Sequence, residues 1–167
     1  MCRVIQAQLP RTESSARQAG HLVRATLAEW VPDAELETAE TAEQLTQALV
    51  ANAVVHALSP VRVAIALRGG VLEVGVSDTD ATLPGSRVPA QREGSRGWGR
   101  GLTLVDSLSD EWGSTPLRVG KQVWFTLAVG HGAHQESCAC AADAPGAVRL
   151  GSGASAVDAS LAPGPPI

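Results

Sequence analysis

The chain has 167 residues, 44 % of them hydrophobic, enough apolar material to fill one core of ordinary density. A formal net charge of −4 and a pI near 5.5 supply no basic field for a phosphate backbone or an anionic leaflet, which argues against nucleic acid as a direct partner. No apolar run approaches the roughly 20 residues of a membrane helix, and no basic segment followed by an apolar one opens the chain, so a soluble, cytoplasmic protein without a membrane partner is expected. Cys2, Cys138 and Cys140 lie at the two ends of the chain and make no disulfide framework, in keeping with a reducing compartment.

Taken in chain order, residues 12 to 30 carry Ala16, Ala19, Leu22, Val23 and Leu27 at helical spacing, with Thr12 or Ser14 able to cap the start. Residues 40 to 57 repeat the pattern with Leu45, Leu49, Ala53 and His56 or Ala57, and Thr41 can cap it. Val61, Val63, Ile65 and Leu67 then alternate, Gly69-Gly70 follows, and residues 71 to 76 resume apolar character, which predicts a β-hairpin. A stretch of about twenty residues from Thr79 to Trp98 leads to a helix predicted over 102–109, on which Leu102, Val105 and Leu108 share the buried side. After a turn at Gly120-Lys121, residues 123 to 129 alternate once more as a strand, so that one or two strands are expected after the last helix. From Gly130 the composition shifts to Gly, Ala, Ser and Pro, so the chain divides into a domain over 1–130 and a flexible tail over 131–167. The switching periodicity reads as one α/β domain, an α+β two-layer sandwich with helices on one face of a mixed, mostly antiparallel sheet.

Three features carry possible chemistry. Asn52 sits among apolar residues on the second helix, with His56 one turn on; its carbonyl could ligate a hard cation such as magnesium, or simply bond nearby backbone. Asp78 emerges at the end of an apolar strand, where it could accept a hydrogen bond from an exocyclic amine or cap a turn, with Asp80 further into the loop. Gly97, Gly99 and Gly101 alternate just before a helix start, letting backbone N–H groups and the helix dipole approach a phosphate, with Arg100 placed to add a charge-assisted contact. The glycines do not follow a strand directly, so they are not a dinucleotide fingerprint. In the tail, His131, His134, Cys138 and Cys140 offer zinc-type ligands in a spacing unlike a structural zinc site.

In that order, the asparagine helix, hairpin, strand-end aspartate, long loop and glycine-rich helix start resemble the Bergerat-type ATP-binding fold of gyrase-type ATPases and histidine kinases. Within it, the likeness is to bacterial anti-sigma-factor serine/threonine kinases of the actinobacterial type. It rests on Leu49-Val50-Ala51-Asn52-Ala53-Val54-Val55-His56-Ala57, on 99–106, on Asp110-Glu111-Trp112-Gly113 and on Gly120-Lys121-Gln122-Val123-Trp124-Phe125, and covers about residues 4 to 129. The resemblance implies ATP and Mg2+ as ligands, with Asn52 holding the magnesium against the phosphates and Asp78 binding the adenine amine. It further implies that Gly97, Gly99, Arg100, Gly101 and Leu102 form the phosphate lid and its helix start, that Thr126 lies near the adenine, and that His56 has a supporting place in the pocket. The implied function is transcription control through nucleotide-dependent binding to a sigma factor or an anti-anti-sigma antagonist, as a homodimer.

One position departs from the family. Its kinases carry a glutamate one turn before the asparagine, and here that residue is Ala48. Four residues turn a helix by about 400°, so position 48 shares the face of Asn52, and a methyl group cannot take a proton. Gln47 is not basic, and Glu43, about 900° away, faces the other side. Whether the chain is a kinase is therefore open: phosphorylation of an antagonist on Ser/Thr stands beside a binding module that has lost transfer, and beside the nucleotide domain of a split histidine kinase, for which no dimerising helix with a phosphoacceptor histidine precedes the domain.

Overall fold

The computed structural model describes residues 2–56, 59–83, 100–130 and 148–149. Its elements are β1 (Cys2–Leu9), α1 (Ser14–Trp30), α2 (Leu36–His56), β2 (Val61–Arg68), β3 (Val71–Asp78), α3 (Arg100–Leu108), β4 (Glu111–Pro116), β5 (Lys121–Ala128) and the two-residue β6 (Val148–Arg149). The sheet order is β1-β2-β3-β5-β4-β6. Every pairing among the described strands is antiparallel, so the mixed sheet expected from sequence is not seen there. The architecture is α+β, an open antiparallel sheet with three helices, consistent with a two-layer sandwich.

Period-two alternation decides which face of each strand is buried. Val61, Val63 and Ile65 on β2, Leu72, Val74 and Val76 on β3, and Val123, Phe125 and Leu127 on β5 form one cluster with Val23 and Leu27 of α1 and Leu45, Leu49 and Val50 of α2. These core positions stand in register across strands, with Ile65 opposite Val74 and Val74 opposite Phe125. Trp112 of β4, opposite Phe125, is also buried, and its indole N–H donates to Asp106 Oδ1 of α3 at 3.0 Å. The β2–β3 connection runs through Gly69 and Gly70 at φ 56° and 80°, the left-handed pair that a two-residue turn of matching twist needs.

Two of the proposed caps are different in the structure. Glu13 is the N-cap of α1 and makes no side-chain cap bond, while the Thr12 hydroxyl bonds the hydroxyls of Ser14 and Ser15 at 3.0 Å each. Thr41 lies inside α2, which begins five residues earlier at Leu36. β1 was not predicted as a strand, and of the one or two strands expected after the last helix β4 is the second, to which no residues were assigned. In β1 only Ile5 and Leu9 pack on the core, a thin apolar pattern for an edge strand; β4 reads Glu-Trp-Gly-Ser-Thr-Pro and lacks alternation altogether. Within the stretch predicted as a tail, Val148 and Arg149 pair with Ser114 and Gly113 of β4. Among the described residues, no helix is long and apolar enough to cross a membrane.

Candidate functional site

α2 is the element that positions the site, and its two sides do different work. One side meets α1, where Gly20 allows so close an approach that a Cβ there would stand 2.6 Å from Gln47 Nε2. Glu43 belongs to this side: its carboxylate receives Arg24 Nη1 at 3.1 Å and Gln47 Nε2 at 3.3 Å. Glu43 and Gln47 are thus engaged with each other, and Glu43 also with α1.

The other side meets α3. A Cβ on Gly101 would lie 3.3 Å from the Ala48 carbonyl oxygen and 3.4 Å from its Cβ, so the first turn of α3 rests directly on position 48. Leu102, 5 % exposed, and Val105, fully buried, hold that seat from the apolar side, and the Trp112–Asp106 bond holds the distal end. Asn52, one turn beyond Ala48 on the same face, is half-buried, and its amide makes no hydrogen bond among the described residues. The bonding to local backbone that a helix asparagine usually finds is thus not made among the described residues. His56, at the last position of α2, is exposed.

Asp78 closes β3 on the same side of the sheet, since it continues the buried series Leu72, Val74 and Val76. Directly opposite in register is Lys121, the first residue of β5 and the start of the buried series Val123, Phe125 and Leu127. The two side chains are only 2 % and 3 % exposed and pair through Lys121 Nζ and Asp78 Oδ1 at 3.1 Å. Lys121 Nζ also donates to the Asp80 carbonyl at 3.0 Å and to Asp80 Oδ2 at 3.2 Å, and the Asp80 N–H donates to Asp78 Oδ1 at 2.8 Å. The Asp80 carboxyl is held well below its usual range, at about 2. The largest cause is the Thr82 N–H, which donates to Oδ1 at 3.0 Å; partial burial opposes it, and the Thr82 side chain and the Lys121 ammonium add to it. Gly120 makes the strand ends meet: its φ is +80°, and a Cβ there would overlap the Asp78 carbonyl oxygen.

Asn52, Gly101, Leu102 and Asp78 are thus set on the helix side of the sheet, whereas Thr126 is not brought to them. It sits out of phase with Lys121, Val123 and Phe125, on the sheet face away from the helices, opposite Glu73 and Glu111, and donates to the Glu111 carbonyl at 3.4 Å. The strand's own period places it there, on the other face from Asp78, with which it was expected to share a site. Arg100 opens α3, and its side chain, like Gly97, Gly99 and the cluster of His131, His134, Cys138 and Cys140, lies outside the described residues.

Lys121 is the participant that sequence reading passed over as a turn residue. The signal was present, because counting back in twos from Leu127, Phe125 and Val123 puts residue 121 on the buried face, where an ammonium needs a carboxylate. Two further residues of the quoted motifs prove to be scaffold: Asp106 holds Trp112, and Asp110 Oδ2 accepts the Ala128 N–H at 2.6 Å. Compared with models of protein families and with curated proteins, the chain matches none.

Proposed function

We propose that this chain is an ATP-binding regulatory protein with a Bergerat-type nucleotide site, which controls transcription by nucleotide-dependent binding to a sigma factor or its anti-anti-sigma antagonist. The observation that carries the reading is the seating of Gly101 on Ala48. It brings the start of α3, where the first N–H groups of a helix have no partner within the helix and the dipole end is positive, onto the α2 face that bears Asn52, whose amide makes no hydrogen bond among the described residues. A polyphosphate fits beside a helix start, and a magnesium ion on that phosphate fits an amide oxygen. Asp78, with its described bonds gathered on Oδ1, has Oδ2 for an adenine amine.

The same contact favours binding over phosphoryl transfer. α3 covers the position from which a glutamate would act, and the nearest carboxylate on α2, Glu43, is tied to Arg24 on the far side. Isothermal calorimetry with Mg2+ and ATP on the full chain tests the reading. Binding is expected, weakened roughly tenfold or more by Asn52→Ala and by Asp78→Ala, each of which removes a hydrogen-bonding or ligating group. Folded protein that takes up no nucleotide would overturn it.

A further inference from the structure

Lys121 has three N–H protons and three acceptors: Asp78 Oδ1 at 3.1 Å, the Asp80 carbonyl at 3.0 Å and Asp80 Oδ2 at 3.2 Å. Its ammonium has no donor left to offer a ligand. Asp78 Oδ1 in turn receives two donors, Lys121 Nζ and the Asp80 N–H, while Oδ2 receives none among the described residues. An ionised carboxylate only accepts. The buried charge cluster at the end of β3 and β5 therefore shows an incoming group an acceptor and no donor, although an ammonium stands 3.1 Å from that carboxylate.

We infer that Lys121 and Asp80 are positioning residues that set base selectivity: by using up every Lys121 proton, Asp80 leaves Asp78 as a pure acceptor, which admits a 6-amino purine and rejects a 6-oxo purine. The inference rests on the nucleotide reading given above and deepens it. With a 6-oxo base, a carbonyl oxygen would face a carboxylate oxygen and both would lose their water without gaining a proton between them. Removing the Asp80 carboxylate frees one ammonium proton, which can then be donated to the 6-oxo group.

The test compares ATP with inosine triphosphate, which carries a 6-oxo group in place of the amine, by calorimetry with Mg2+ on the full chain. The wild type is expected to prefer ATP by roughly 10- to 100-fold, the range of one charge-assisted hydrogen bond. Asp80→Ala keeps the Asp78–Lys121 pair and should narrow the ratio several-fold, mainly by improving inosine triphosphate. A purely structural role would shift both nucleotides together and leave the ratio unchanged. An unchanged ratio in Asp80→Ala, or equal affinity in the wild type, overturns the inference while ATP binding stands. Failure of both nucleotides to bind folded wild-type protein removes the nucleotide reading itself.

Discussion

Glu43 and Asp78 each anchor a three-membered cluster of polar and charged side chains, one joining two helices and the other joining two strands to the loop that follows them. Around Glu43, Arg24 stands at 3.1 Å and His21 at 3.7 Å, with side chains 45 % and 68 % exposed. Around Asp78, Lys121 and the backbone of Asp80 close in a space with almost no solvent access. The distances are alike, but the surroundings differ, and the surroundings decide what the charges do. At the surface, water competes for each partner and side-chain entropy offsets most of the attraction. In the buried cluster every lost partner leaves a charge with nothing to replace it, so the group can hold an orientation as well as a position.

Substitutions sharpen that contrast. Lys121→Met should destabilise the fold by about 3–5 kcal/mol in urea denaturation, because it strands the Asp78 carboxylate. The double change Asp78→Leu with Lys121→Met should recover most of that loss, and a failure to recover would mean that packing rather than charge dominates there. Gly120→Ala should cost about 3 kcal/mol by the same measurement, since a positive φ and an overlap with the Asp78 carbonyl both oppose a methyl group. Ala48→Glu should cost about 1–3 kcal/mol by overpacking the seat of α3, and should weaken ATP binding without producing labelled-phosphate transfer to a partner. Transfer restored by that change would show that α3 can lift off position 48.

Acid separates the two clusters by a different route. The Asp80 pKa is lowered from 3.8 to about 2, so the stability it contributes is fully present above pH 3.8 and is lost as the pH falls toward 2. The difference in melting temperature between wild type and Asp80→Ala should hold steady above about pH 5 and shrink between pH 4 and 2. Smallest of all, Arg24→Ala should cost only about 0.2–1 kcal/mol, less in high salt.

Much of this arrangement was legible in the sequence, and what was not has physical reasons. The helices and the β2–β3 hairpin follow from apolar period and from Gly69-Gly70, and the Asp78 and Lys121 faces follow from counting in twos. β4 was hidden because its burial comes from Trp112 and from neighbours on either side, not from its own alternation. The starts of both long helices were displaced because hydroxyl residues near a helix start can bond one another instead of capping, and because Leu36 and Glu37 begin α2 without a Ser or Thr to mark it. Thr126 was assigned to the site by resemblance, and the strand's pleat turns it to the other face. The seating of Gly101 on Ala48 is a contact between residues 53 positions apart, and no local pattern records it.

The bond between Trp112 and Asp106 has a practical consequence. The chain contains four tryptophans and no tyrosine, so its ultraviolet emission comes from indole alone. Trp112 is 1 % exposed and donates its N–H to α3. A shift of that helix would change both the polarity and the hydrogen bonding felt by this fluorophore. With Trp30, Trp98 and Trp124 replaced by phenylalanine, the remaining spectrum becomes an unlabelled optical gauge of whether α3 keeps its seat when nucleotide is added.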